Sequence, residues 1–276
     1  MHSNFFLTMK AVIKREWVLL KRYRVRLLAD LIQPFLWVAL FVFFGKAFLS
    51  GQGDTKTFTN YIILGVVLLM LISSALWGSG LMLRREQLYG TLEAIFISPA
   101  NRFAMILGYS LFEFVHLLWF ISIAVAFGYF AFGFSVTIAD PLAAVLILIL
   151  TVISLYGFAI LFSGITLLVK ESNALINMLQ PIIYIFCGIF FPVFALPPML
   201  QTISWLIPIT YGVMGIELVF VFGATFEELI VYYAALIIST IAYTILAVML
   251  YKHCLLYTSD AADELDGVDL GGRRII

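Results

Sequence analysis

Glu113 and His116 stand at i and i+3 inside a run that is otherwise almost wholly apolar. On a helix this spacing places both on one face. Ionisable side chains within a membrane-spanning stretch are expensive and usually face a bundle interior or water. One use for the pair is a polar patch in a pathway, or a proton-linked couple. The other is a hydrogen bond, mutual or to another helix, that fixes packing. Packing is preferred, because groups on adjacent turns can satisfy each other. A second polar row, Asn173, Asn177 and Gln180, falls near the start of a later apolar run. Amides at such spacing commonly bond a neighbouring helix, and a buried structural role is expected for Asn177 and Gln180. Cys187 and Cys254 have no metal-ligand neighbours and fall near opposite ends of the membrane, so neither a metal site nor a disulfide is expected. No Gly-x-x-x-x-Gly-Lys-[Ser/Thr] loop occurs, so the chain is not expected to be an enzyme that hydrolyses nucleotide, or to hold a cofactor of its own.

The elements that hold these residues are set by composition. The chain is 63% hydrophobic and 12% charged, where soluble domains are near a quarter charged. Its mean hydropathy is +1.09. An all-α integral membrane protein is expected, with aqueous segments too short for a soluble domain and no nucleic-acid partner. Six apolar blocks are long enough to cross a bilayer: 27–49, 59–83, 104–134, 141–169, 174–194 and 229–251. The first lacks a small-residue cleavage site after it and is expected to stay as a membrane helix. Ahead of it, residues 4–26 interleave seven cations with Phe, Ile, Trp, Leu and Tyr. This is the pattern of an amphipathic helix lying at the membrane interface.

Between Glu171 and Glu217 lie 45 residues without Asp, Glu, Lys or Arg. One helix of that length would reach roughly 68 Å, more than twice the ~30 Å of a bilayer core. The chain must therefore break and turn. Phe191-Pro192, Leu196-Pro197 and Pro208-Ile209-Thr210-Tyr211 mark the break, and residues 197–221 are expected to form a re-entrant segment. Interrupted backbone at membrane depth is tolerated only when packed in protein or lining a cavity. The cations orient the chain. With the N-terminus inside, twelve Lys and Arg lie inside, against Lys46 and Lys56 outside. The positive-inside rule then places both termini in the cytoplasm and the re-entrant segment outside. Residues 255–276 carry five of the sixteen acids without apolar periodicity. They read as disordered, and resemble translated adapter or vector sequence more than a native acidic tail.

The cytoplasmic loop after the second block runs Arg84-Arg85-Glu86-Gln87-Leu88-Tyr89-Gly90-Thr91-Leu92-Glu93-Ala94-Ile95-Phe96-Ile97-Ser98-Pro99. Thr91 can cap a short helix, Glu93 suits its first turn, Leu92, Ile95 and Phe96 share a face, and Pro99 ends it. An apolar face displayed there wants a protein groove or the membrane interface.

This loop resembles the Glu-x-x-x-Gly-Thr-Leu-Glu…Ser-Pro segment of ABC-2 type permeases, the membrane subunits of ATP-binding-cassette exporters. The later prolines resemble the same family's Phe-Pro…Leu-Pro…Pro-x-Thr-Tyr segment, although Ile207 stands where the family often has Asn. The resemblance covers about Phe5 to His253, the expected transmembrane domain being 4–254. It implies a coupling helix at Glu86, Gly90, Thr91, Leu92, Glu93 and Pro99 that docks into an ATPase subunit. It implies an extracellular gate at Phe191, Pro192, Leu196, Pro197, Pro208, Thr210 and Tyr211. It also implies two ATPase subunits that bind ATP and Mg, a second permease copy or paralogue, and a place in the cell (inner) membrane. An ion-coupled secondary transporter and a non-transporting membrane assembly factor are the alternative classes. The first would show paired broken helices and several midplane charges, where this chain has one broken segment and one Glu–His pair.

Overall fold

The computed structural model describes residues 5–49, 55–98, 100–169 and 171–269, and over these it contains helices and no strand. The order is α1 (Phe5–Arg22), α2 (Arg24–Leu49), α3 (Thr55–Trp77), α4 (Met82–Leu88), α5 (Leu92–Ile97), α6 (Arg102–Phe132), α7 (Pro141–Leu168), α8 (Ser172–Phe186), α9 (Pro198–Leu206), α10 (Pro208–Phe222) and α11 (Ile230–Asp269). Five stretches are long and apolar enough to cross a membrane: Leu27–Ala47, Lys56–Leu88, Phe103–Phe132, Pro141–Leu168 and Glu227–Leu250. The pair α9–α10, bent by 101°, makes a sixth if counted as one span. The chain is a multi-pass membrane protein.

α3 is the axis of the bundle. Ile63, Leu68, Ile72 and Leu76 on it are fully buried, with α2, α6, α7, α8 and α10 packed around it. Lipid tails are as apolar as leucine, so close contact between small residues, rather than water exclusion, has to hold such helices together. At Gly212 a Cβ would come within 2.5 Å of the Thr151 side chain, and at Gly215 within 2.5 Å of Ile147. These two glycines let α10 lie against α7.

Three boundaries differ from those read off the sequence. The second span does not stop near residue 83. A 3-10 turn at Ser79–Leu81 carries it into α4, so Glu86 lies on the end of the span and not in a loop. The fifth is shorter than the block 174–194, because α8 is a helix of 15 residues that ends at Phe186. That is roughly 22 Å of rise, short of a bilayer core. Gly188 then takes a left-handed φ of +86°, a region open to glycine, and irregular chain leads on to the 3-10 turn at Val193–Ala195. Last, α11 runs on to Asp269 through the segment read as disordered. Extending a formed helix needs no new nucleus, and Ala261, Ala262 and Leu265 are good helix formers. Residues 270–276 lie outside the described residues, as do the side chains beyond Leu250.

Candidate functional site

The amphipathic α1 packs along α6, so closely that a Cβ on Gly108 would sit 3.0 Å from the Met9 carbonyl oxygen. It brings Arg15 to the end of α4. The Arg15 guanidinium donates to Glu86 Oε1 at 2.5 Å and to Glu16 Oε1 at 2.7 Å. Both carboxylates are buried, while Arg15 is half-exposed. Burial alone would pull the Arg15 pKa down, but the bonds to Glu86 and Glu16 outweigh it and hold it above the ordinary arginine value. A cation with a raised value contributes its stabilisation in full below its ordinary range and loses it only at strongly alkaline pH, so this contact is insensitive to physiological pH.

Glu86 also fixes the next turn. Thr91 Oγ1 donates to Glu86 Oε2 at 2.6 Å, and Thr91 N–H donates to the Glu86 carbonyl at 3.0 Å. The expected capping role is corrected here. The Thr91 side chain does not cap α5, because its hydroxyl is spent on Glu86. Leu92 is buried and packs with Met82, Leu83, Met105, Ile106 and Tyr109, and the half-buried Ile95 and Val12 complete the group. Leu92 and Ile95 of the apolar face of α5 therefore point into the bundle. What stands outward is Leu88, Tyr89 and Ile97, exposed at 69%, 74% and 86%, around Gly90, which has φ +68°. The side chains of Glu93 and Phe96, and Pro99 entirely, lie outside the described residues.

One level deeper, Glu113 finds partners beyond its helix neighbour. It accepts from the Tyr109 hydroxyl at 2.8 Å and lies 4.0 Å from the Arg85 guanidinium. Arg85 in turn donates to the Gly78 carbonyl at 2.7 Å and bonds the Tyr109 hydroxyl. His116 is only partly buried. Its ring stacks on Phe112 and meets Phe120 edge-on, at centroid distances of 6.0 and 5.0 Å. Gln180, only half-buried, bonds across helices, accepting from Trp77 Nε1 at 2.7 Å. Asn177 lacks the burial expected of it, because it lies on the exposed side of α8. Glu113, His116, Arg85, Gln33 and Gln180 line one cavity of about 260 Å³ between α2, α3, α6 and α8. Among the described residues no group of three or more His, Cys, Asp or Glu gathers to hold a metal ion.

At the far end of the bundle the broken backbone is sealed by the motif residues themselves. Pro208 opens α10, and its missing N–H leaves carbonyls behind it unserved. Thr210 Oγ1 donates to the Ser204 carbonyl at 2.7 Å, and the Tyr211 hydroxyl donates to the Trp205 carbonyl at 3.1 Å. Gln201 Nε2 donates to the Leu196 carbonyl at 2.7 Å, and the Tyr61 hydroxyl to the Gly188 carbonyl at 2.7 Å. Ile207 is the N-cap of α10 and makes no side-chain cap. Pro197 caps α9 in the same bare way. Pro192 precedes a 3-10 turn at Val193–Ala195, whose C-cap is Leu196. Phe191 joins Phe41, Phe44 and Phe190 around a cavity of about 360 Å³, with Phe41 stacked on Phe190 at 5.2 Å. Thr210→Val keeps the volume and removes the hydroxyl from a fully buried site. It is expected to cost about 1–3 kcal/mol, read as a lower thermal midpoint in detergent, with Thr210→Ser retaining most of the stability.

The profile of one family, described as ABC-2 type transporter, matches residues 8–221. The chain belongs to the ABC-2 type transporter family. It is also 26% identical over 226 residues to ycf38 of Cyanophora paradoxa, a protein named as a transport permease, with 79% of this chain and 76% of the relative covered. The matched range of this ABC-2 permease takes in the Arg15–Glu86 contact, the polar cavity and the sealed break, and stops at Val221 near the end of α10.

Sequence reasoning missed Arg15, Arg85, Tyr109 and Tyr61 as site residues of the ABC-2 permease. Arg15 was one of seven cations in residues 4–26, with nothing to single it out. Arg85 stood beside Arg84 at a span end, where a basic flank is ordinary. A buried carboxylate at 113 did require a partner, and the arginine of a preceding span was a candidate. Glu217, also passed over, is buried on α10 with Oε1 lacking a hydrogen-bond partner.

Proposed function

We propose that this chain is the permease subunit of an ATP-driven exporter, forming part of the pathway and taking its drive from a separate ATPase. The observation that supports this reading most is the tip Leu88, Tyr89 and Ile97. Three large apolar side chains stand in the open at one end of the bundle, and the turn carrying them is tied to α1 through Glu86 and Arg15. Exposed apolar side chains of this kind suit a groove on a partner protein. Two ATPase subunits, binding ATP and Mg, would press on this tip, and the Arg15–Glu86 contact would pass the push into α1 and the second span together. The exposed apolar sides of α2 and α8 suit a second copy or a paralogue across the pathway. Both termini and the tip would face the cytoplasm of the cell membrane, and the sealed break would close the outer end.

Ile97→Asp and Tyr89→Asp put a charge on the tip without touching a buried residue. Each is expected to reduce the ATPase activity captured with tagged permease at least tenfold, while the amount of permease in the membrane stays level. Undiminished capture by both variants would remove the docking role.

A further inference from the structure

The polar cavity of about 260 Å³ between α2, α3, α6 and α8 takes no part in the tip or in the sealed break. Glu113 on its wall stands roughly 15 Å along the stretch Phe103–Phe132 and is more than nine-tenths buried. An ionisable group at such depth is expensive and marks a functional site by default. Its charge partner is Arg85, whose guanidinium stands off at 4.0 Å, beyond direct hydrogen-bond reach. The same Arg85 nitrogen, Nη2, is held by the Gly78 carbonyl and the Tyr109 hydroxyl. Arg85 thus balances Glu113 at a distance and does not close on it. Among the described residues Arg85 is the one Lys or Arg that lines the cavity, and His116 lines the same wall one turn beyond Glu113. The rest of the wall decides the sign of a ligand. Each of four helices contributes a ring: Trp37 from α2, Trp77 from α3, Phe120 from α6 and Tyr184 from α8. Aromatic faces attract cations. An anion would instead need donors, and the Trp77 N–H and Tyr184 O–H are already taken up by Gln180 and by the Leu69 carbonyl. Leu69, Met70 and Leu117 also line the cavity, so the body that carries the charge is apolar. An empty apolar cavity of about 150 Å³ takes up benzene, so 260 Å³ has room for a ring bearing a trimethylammonium group.

We propose that this cavity binds a small organic cation, an ammonium group on an apolar or aromatic body, with Glu113 as its counter-charge and the four rings as its walls. Binding rests on this cavity alone. That the ligand is cargo rests on the export reading above, and the test needs neither ATPase nor nucleotide, so the two fail separately.

The probe is radiolabelled benzyltrimethylammonium, bound at equilibrium to the full chain in uncharged detergent, with empty micelles as background. Saturable binding is expected. Unlabelled benzyltrimethylammonium is expected to compete at least tenfold better than neopentylbenzene, its uncharged carbon counterpart, or phenylmethanesulfonate, an anion of similar size. Glu113→Gln is expected to weaken binding of the cation at least tenfold and to remove its advantage over the uncharged counterpart, which a loss of packing alone would not do. If Glu113→Gln fails to accumulate, the double variant Arg85→Gln, Glu113→Gln serves instead. It leaves no charge of the pair buried alone, and the same loss is expected. Absence of saturable binding, equal competition by the uncharged counterpart, or wild-type affinity in the variant that accumulates would each overturn the proposal. Loss of binding on adding phosphatidylcholine would overturn it too, because the occupant would then be a lipid headgroup.

Discussion

Gly65→Leu is expected to lower the thermal midpoint of the purified permease by roughly 2–12 °C. A Cβ at position 65 would lie 2.5 Å from the Ile189 carbonyl oxygen. The obstacle is backbone, so no side chain can rotate away. α3 is the axis of the bundle, and residues 187–191 are irregular chain held by few bonds. Relief can come only by pushing that chain outward, breaking the Tyr61 bond to the Gly188 carbonyl and the Phe41–Phe190 stack. Overpacking of this sort costs about 1–3 kcal/mol or more, and in a chain of this size each kcal/mol is worth about 2–4 °C. Fluorescence-detected thermal unfolding in detergent gives the number. Gly157→Ala, whose Cβ makes only an ordinary contact with Tyr243 Cβ at 3.7 Å, is the matched control and is expected to move the midpoint by less than about 2 °C. If Gly65→Leu melts with the wild type, the close approach of α3 to the break is wrong.

Charge reversal at the α1–α4 contact carries the second large effect. Arg15→Glu places a third carboxylate beside Glu16 and Glu86, both buried. Breaking a buried pair costs about 3–5 kcal/mol, but Arg15 is 42% exposed, and solvent reduces this to about 1–3 kcal/mol. Stability falls accordingly, and ATPase turnover stimulated by cargo is expected to fall at least tenfold. The exchange Arg15→Glu with Glu86→Arg restores the attraction between the two elements. It is expected to recover most of the stability and at least a third of the stimulated turnover. Two outcomes would separate a structural tie from a coupling tie. Recovery of stability without recovery of turnover makes the contact a brace alone. Failure to recover either shows that Glu16 or Thr91, and not the pair, sets the geometry.

Composition and proline spacing disclose a good deal of this architecture. The apolar blocks appear as helices, the basic N-terminal stretch lies along the bundle as α1, and the chain bends sharply between Leu206 and Pro208, where the prolines demanded it. The interruption is visible in sequence because proline acts locally, on its own φ and the residue before it. The contacts that tie the site together are invisible for the converse reason. Arg15 and Glu86 are 71 positions apart, and Arg85 and Glu113 lie on different helices. A pairing across helices leaves no periodic trace in one sequence. Local rules also failed where tertiary contacts outbid them. Thr91 had the type and place of an N-cap, yet a buried carboxylate captured its hydroxyl. Leu92 and Ile95 of α5 looked like part of a docking surface, yet the bundle took them up. Asn177 looked buried because polar rows in spans usually are, and the single chain leaves that side of α8 uncovered.

The bonds that seal the bend between α9 and α10 all join residues near one another in the chain: Gln201 to Leu196, Thr210 to Ser204, Tyr211 to Trp205. Contacts this local form quickly and wait for no distant partner. A nascent hairpin of this kind can satisfy its own polar atoms while still inside the insertion machinery, before α11 has been synthesised. Biogenesis then does not have to release an unsealed bend between α9 and α10 into hydrocarbon, and only the Gly188 carbonyl upstream waits for a distant partner, Tyr61 of α3.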